Sequence, residues 1–94
     1  MADAEIRFEW DTENRRHIAA HGVTPAEFEQ LLNGDPLDVG YEMIGNEERC
    51  RSVGLTSRGR LLSVAWTIRD GKIRAITAFR ASISDKRAFL ERPK

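Results

Sequence analysis

Apolar and polar positions alternate with a period of two through residues 48–80, which predicts three antiparallel strands joined by two tight turns. The first turn falls at residues 57–59. The second falls at Asp70-Gly71, a dipeptide that favours a type I′ hairpin. The large apolar residues of the second strand share one face, which predicts a core face against helices: Leu62, Val64, Trp66 and Ile68.

The third predicted strand has no cleanly polar face, so we expect it to be central in the sheet. Strict alternation divides its residues between the two faces. One face receives Ile73, Ala75, Thr77 and Phe79, and the other receives Arg74, Ile76, Ala78 and Arg80.

Two further short strands are predicted in the first half of the chain. Apolar and polar side chains alternate over residues 6–10 and again over residues 37–41. The first of these strands is expected to pair with the main sheet at its edge. Residues 43–47 are expected to form a loop before the three-stranded stretch.

Helix-capping signals predict three helices. The first helix is expected to begin at Asp11 or Thr12 and to continue to about residue 20. The second begins at the clearest local signal in the chain, a capping box formed by Thr24 and Glu27 around a proline. The third begins at Ser82, with an acidic residue three positions later.

These elements predict a single α+β domain over residues 1–94, with residues 1–5 disordered. Its sheet is expected to be small and antiparallel, a three-stranded meander plus one or two short N-terminal strands. Two N-terminal helices and one C-terminal helix complete the predicted fold. A chain of 94 residues is long enough for one modest core.

Charge is distributed unevenly along this neutral chain. Residues 1–48 contain twelve acids and three bases, a net charge of −9, whereas residues 49–80 contain eight bases and one acid, a net charge of +7. Residues 81–94 add +2. A strongly basic sheet indicates a polyanionic ligand, most simply RNA. A solvated sheet face without a ligand is the competing interpretation.

The sequence gives little support for metal, cofactor or membrane binding. His17 and His21 are four residues apart, but a zinc site needs a third ligand, and we expect neither a metal nor a cofactor. No apolar run approaches the roughly 20 residues of a membrane helix, and no signal peptide is visible. The single cysteine, Cys50, cannot form an internal disulfide, which fits a reducing compartment such as the cytoplasm.

The basic stretch contains the groups that RNA cleavage without a metal requires. Arg49, Arg60 and Arg74 fall on three neighbouring predicted strands, and arginine presents a planar fork to phosphate. His21 lies next to Gly22 at the corner between two helices. It is either a general acid–base or a partner of the helix dipole. The alternative is that these arginines form ion pairs with acids across the exposed surface of the sheet, which contribute little to the stability of the fold.

A series of short motifs occurs in order along about residues 6–90, although none of them is specific alone. They are Phe8-Glu9-Trp10-Asp11, His21-Gly22-Val23-Thr24-Pro25 with Glu27, Asp35-Pro36, Glu47-Glu48-Arg49, Gly54-Leu55-Thr56, Gly59-Arg60, Ile73-Arg74 and Thr77-Ala78. In this series the chain resembles the BrnT family, the toxin half of a type II toxin–antitoxin system. One departure is Phe79, at a position where the family usually has arginine; Arg80 follows one place later.

The resemblance implies a RelE-like fold and a metal-independent ribonuclease that stops translation until a ribbon-helix-helix antitoxin neutralises it. It assigns proton transfer to His21 and phosphate binding to Arg49, Arg60 and Arg74. Further candidates for RNA contact are Arg51, Arg58, Phe79 and Arg80. The alternative is an inactive BrnT-like protein whose basic sheet binds RNA or an acidic protein partner. The sequence leaves open whether the chain forms a homodimer.

Overall fold

The computed structural model describes residues 6–93, so the expectation for residues 1–5 lies outside the described part. The elements in chain order are β1 (Phe8–Glu9), α1 (Thr12–Ala19), α2 (Pro25–Asn33), β2 (Leu37–Ile44), β3 (Glu47–Leu55), β4 (Leu61–Arg69), β5 (Lys72–Arg80) and α3 (Ile83–Leu90). The predicted α+β class with three helices is confirmed.

The sheet is mixed rather than purely antiparallel, which corrects the predicted topology. Its five strands lie in the order β1-β5-β4-β3-β2, and β1 runs parallel to β5. Strands β2 to β5 form an antiparallel meander of four strands instead of three. The helices α1 and α2 connect β1 at one edge of the sheet to β2 at the opposite edge.

The predicted loop at residues 43–47 is also wrong, because β2 and β3 extend into it. Strand β2 continues to Ile44, β3 begins at Glu47, and only Gly45 and Asn46 form the turn. Gly45 has a φ of 63°, a left-handed conformation that glycine adopts without strain. The short sequence 42–47 mixes acidic, apolar and turn-forming residues, and its strand character comes from pairing with the neighbouring strand.

The predicted local signals are confirmed. Thr24 Oγ1 accepts a hydrogen bond from the Glu27 backbone N–H at 3.1 Å, and Glu27 Oε1 accepts one from the Thr24 N–H at 3.2 Å. Asp70 and Gly71 have φ values of 53° and 76°, as a type I′ turn requires. The Ser82 hydroxyl caps α3. Interactions between residues at most three positions apart therefore determine where α2 and α3 begin and where the chain turns between β4 and β5.

The main core lies between one face of the sheet and the two N-terminal helices; we call this side the core face. Its buried members are Ile18, Val23, Phe28, Leu31, Leu32, Leu62, Val64, Ala75 and Ala78. Phe28 is fully buried, and both Phe8 and Trp10 contact its ring edge to face. The aromatic contacts hold β1 and the start of α1 against α2.

A bulge in β5 changes which side chains share a face. Ala65 is opposite Thr77 and Trp66 is opposite Ala75, so that Ile76 is an additional residue in β5. Strict alternation across this strand, as the sequence suggested, is therefore wrong. Beyond the bulge, Ala78 lies on the core face.

The other side of the sheet, which we call the open face, carries Arg49, Arg51, Ser63, Thr67, Arg74, Thr77 and Phe79. Helix α3 lies against β3 on this side, and Arg51 bonds the Asp85 carboxylate at 2.8 Å. The bulge thus brings Arg74 and Phe79 to the same face, whereas Arg80 is opposite the buried Leu62.

Gly54 of β3 allows α2 to approach the sheet closely. A β-carbon at this position would lie 2.9 Å from Leu31 Cγ, and Leu31 is fully buried. We predict that Gly54→Ala lowers the free energy of unfolding by about 1–3 kcal/mol, the usual cost of overpacking. The matched control is Gly40→Ala, whose new methyl group would contact Arg51 only at 3.5 Å. Urea unfolding that finds the two variants equally stable would contradict this packing.

Candidate functional site

A cavity of about 190 Å³ lies where one side of α1 meets open-face residues of strands β3 to β5, among them Arg49, Thr67 and Arg74. One histidine and three arginines contribute to its lining, which consists of Glu13, Asn14, His17, Glu47, Arg49, Thr67, Arg69, Arg74, Ala75 and Ile76. Four elements that are distant in sequence therefore place an imidazole and three guanidinium groups around one small space. We call it the arginine cavity.

The geometry of α1 directs His17 to this cavity. Glu13 and His17 are four residues apart and share one side of the helix, whereas Ile18 turns into the core. Asn14 is buried, and its Nδ2 donates a hydrogen bond to the Glu9 carbonyl at 2.9 Å. This bond fixes the first turn of α1 to β1 and thereby the position of His17.

Arg74 forms the most enclosed ion pairs of the cavity. Its Nη1 lies 2.7 Å from Glu9 Oε1 and its Nη2 lies 2.6 Å from Asp11 Oδ2, while only 17% of the side chain is exposed. A backbone hydrogen bond from Asn14 and then the contact with Arg74 lower the pKa of Asp11. The bonds to Asp11 and Glu9 in turn raise the pKa of Arg74. The guanidinium is therefore a fixed charge.

The other two arginines of the cavity are held less firmly. Arg49 Nε bonds Glu47 Oε2 at 2.8 Å, and about a third of each side chain stays exposed. Arg69 is exposed and has no ion pair among residues 6–93. A phosphate entering the cavity would meet these two arginines without having to break a buried contact.

His21 and Arg60 lie together at a second place, near the corner between α1 and α2. Arg60 Nη1 donates to the Gly22 carbonyl at 3.1 Å and to both oxygens of Glu27, at 2.9 and 2.8 Å. The ring of His21 contacts Phe79 edge to face, with 6.1 Å between centroids. Neither His21 nor Arg60 lines the arginine cavity, so the four residues assigned to catalysis from the sequence divide into two pairs.

The four candidates for RNA contact divide in a similar way. Arg51 and Phe79 are on the open face, where Arg51 Nη2 lies 3.4 Å from the Ser63 hydroxyl and Phe79 is directly opposite Ser63. Arg80 is exposed at the end of β5, on the side of Leu62. Arg58 is exposed in the turn between β3 and β4. Arg51 and Phe79 therefore share the open face with Arg49 and Arg74 of the arginine cavity, whereas Arg80 lies on the other face and Arg58 lies in a turn.

Sequence reasoning missed His17 and Arg69 as site residues. The His-Gly motif drew attention to His21, and Arg69 stands beside the hairpin turn, where a charged residue is usually only solvated. A usable signal was present for His17. It follows Glu13 by four residues and Asn14 by three, a spacing that places a polar side of α1 next to the sheet.

Among residues 6–93, no three His, Cys, Asp or Glu side chains come together in a group that could hold a metal ion. None of the helices described there is long and apolar enough to cross a membrane.

The Arg74–Asp11 pair predicts a specific pH dependence of stability. Because the pKa of Asp11 is lowered in the folded state, its stabilising effect is fully present at neutral pH, starts to decline near the unfolded value of 3.8, and is lost as the pH falls through the lower folded pKa. Asp11→Asn keeps a helix-capping side chain but removes the charge. We expect this variant to be less stable than wild type at pH 7 in urea unfolding, and the difference should shrink steadily as the pH is lowered below 3.8. A difference that stays constant as the pH is lowered would contradict the assignment.

Comparison with known proteins agrees with the order of motifs in the sequence. A family model described as "Ribonuclease toxin, BrnT, of type II toxin-antitoxin system" matches residues 10–85, while no curated protein matches the chain. The match covers strands β2 to β5 and both N-terminal helices, and it begins directly after β1. An RNA target and an antitoxin partner go with this family. The chain belongs to the BrnT family of ribonuclease toxins.

Proposed function

We propose that this chain is an endoribonuclease that cleaves RNA in the arginine cavity without a metal ion, and that this cleavage stops translation. The observation that carries the proposal is the convergence of His17 with Arg49, Arg69 and Arg74 around a single space on the open face. A single space of this kind supplies a proton acceptor and a concentration of positive charge beside one phosphate.

The cleavage step follows from these groups. His17, in its neutral form, takes the proton of a ribose 2′-hydroxyl, and the 2′-oxygen forms a bond to the adjacent phosphorus. Arg49 and Arg69 stabilise the extra negative charge on the phosphate oxygens. The bond from phosphorus to the 5′-oxygen then breaks, and this oxygen receives a proton from the imidazolium or from water. The products are a 2′,3′-cyclic phosphate and a 5′-hydroxyl.

The carboxylates of the cavity set the roles of the arginines. An ion pair as exposed as Arg49–Glu47 is worth at most about 1 kcal/mol, so an RNA phosphate can replace Glu47 as the partner of Arg49. Arg74 is more enclosed and is held by two carboxylates. We infer that Arg74 mainly positions β1 and α1, and that its charge adds to the field in the cavity.

The sequence-based assignment of His21 and Arg60 receives less support. Arg60 already donates hydrogen bonds to the Gly22 carbonyl and to both carboxylate oxygens of Glu27. Few of its guanidinium N–H groups therefore remain for a phosphate. We therefore assign proton transfer to His17. His21 and Phe79 present an aromatic pair farther along the open face, where a base of the same RNA strand can stack. Arg51 can contact the backbone of that strand.

Regulation completes the proposal. We further propose that a ribbon-helix-helix antitoxin binds the toxin in the cytoplasm and keeps it inactive; the match to a type II toxin–antitoxin family supports the existence of an antitoxin partner. Release of the antitoxin exposes the cavity.

A second candidate function is an inactive protein that binds RNA or an acidic partner through the same face. It is favoured by the pairing of four arginines with carboxylates of the chain itself: Arg49, Arg51, Arg60 and Arg74. The two functions differ in turnover, since only the first consumes RNA. They are separated by the experiments that follow.

We predict that His17→Gln lowers the rate of cleavage of a labelled single-stranded RNA by about 10²–10⁴-fold, the usual contribution of a general base. His21→Gln is the matched comparison: it removes only a stacking contact, so the loss should appear in KM, and at saturating RNA the variant should retain nearly the full rate. Equal losses in the two variants, with circular dichroism showing both folded, would contradict the assignment to His17.

We also predict that expression of the chain in bacteria without an antitoxin arrests growth and bulk protein synthesis, and that Arg49→Ala relieves the arrest because the phosphate loses its main contact. In vitro, EDTA should leave the cleavage rate unchanged. If growth and translation continue normally when the wild-type chain is expressed, the toxin proposal is refuted, and the second candidate function, an inactive binding protein, is favoured. Loss of cleavage in EDTA would instead show that a metal takes part.

A further inference from the structure

We propose that the free edge of β2, together with an apolar patch beside it, is the surface on which the antitoxin docks by adding a basic strand to the sheet. The patch consists of Tyr41, Met43 and Ile68. This inference rests on the proposed function for the existence of an antitoxin, and it names the site and the chemistry of the contact.

Strand β2 is the last strand of the sheet, and its outer side pairs with no strand among residues 6–93. It is eight residues long, and after an irregularity near Val39 it runs in regular register from Gly40 to Ile44. An edge of this length exposes backbone donors and acceptors that an added strand can bind. Sheets usually block such edges with Lys or Pro, and β2 contains neither.

The apolar patch adjoins this edge on the core face, beyond the reach of α1 and α2. Tyr41 is 63% exposed, Met43 is 53% exposed and Ile68 is 61% exposed. They share this face with Cys50 and Trp66, because Tyr41 is opposite Cys50 and Cys50 is opposite Trp66, two residues before Ile68. Glu48, opposite Met43, adds a negative charge within the patch. An added strand that places alternate apolar side chains on this side would cover them.

Charge selects the kind of partner. Residues 37–48 contain four acids and no base: Asp38, Glu42, Glu47 and Glu48. A second copy of the chain would bring two acidic strands together, and RNA would be repelled for the same reason. A polypeptide segment in which apolar residues alternate with Lys or Arg complements both the patch and its charge.

Docking at this edge also explains how the partner would block the enzyme. A cleft of about 600 Å³ lies at the end of β2 and is lined by Ile44, Asn46, Glu47, Glu48, Thr67, Ile68 and Arg69. Three of these residues, Glu47, Thr67 and Arg69, also line the arginine cavity. A partner seated on β2 that extends over this cleft therefore reaches the border of the cavity and obstructs the entry of RNA.

The test uses the full-length chain and, as a probe, the purified antitoxin encoded by the gene next to its own. Two variants change the surface, Tyr41→Ser combined with Met43→Ser, and Glu48→Lys. Two control variants make similar changes on exposed positions of the C-terminal region, Ile83→Ser and Glu91→Lys. Calorimetry gives the Kd for each pair, hydrogen exchange maps the protected backbone amides, and light scattering gives the mass of the free chain.

We expect each surface variant to weaken binding by at least about tenfold, as loss of central interface contacts does, while both controls bind like wild type. The amides of β2 should become protected in the complex. Surface variants that bind within twofold of wild type, protection confined to other elements, or a free chain that dimerises through β2 would each overturn the docking surface. RNA cleavage by the free chain is measured separately. Its absence would refute the ribonuclease proposal without changing the docking result.

Discussion

The ion pairs of Arg74 are the interaction on which the rest of the site depends. Strand β1 is only two residues long, and a parallel pair of that length has little stability of its own. Glu9 in β1 and Asp11 at the start of α1 both bind the same guanidinium in β5. Helix α1 is thereby held at the sheet edge, and His17 comes to lie above the strands that carry the other arginines.

Similar pairs join the acidic and basic parts of the chain. Acids from the first half pair with Arg49, Arg60 and Arg74, so the charge separation along the sequence is partly cancelled in the folded chain. These ion pairs differ in how much of their side chains is exposed to solvent, and we infer different roles from this difference. The Arg74 and Arg60 pairs hold elements together, whereas Arg49 and the exposed Arg69 stay accessible to a phosphate. An edge strand with acids and no base provides the opposite surface, suited to a basic partner.

The sequence predicted the features that depend on neighbouring residues. The capping box of Thr24 and the hairpin at Asp70 are encoded within a few positions, and the structure contains both. The parallel pairing of β1 and the bulge at Ile76 depend on contacts between distant segments, which alternation alone does not reveal. The same limit applies to the site. Four candidate residues were chosen by motif, but which of them meet is decided by how α1 lies on the sheet.

The most direct test of the arginine cavity is to follow the protein by NMR during titration with a 2′-O-methyl RNA oligonucleotide, which lacks the attacking hydroxyl and cannot be cleaved. The imidazole signals of His17 and the guanidinium Nε–H signals of Arg49 and Arg69 should shift most, and they should saturate together. Large shifts at His21 and Arg60, with those of His17 unchanged, would contradict the account and move the cleavage site to the corner between the two N-terminal helices.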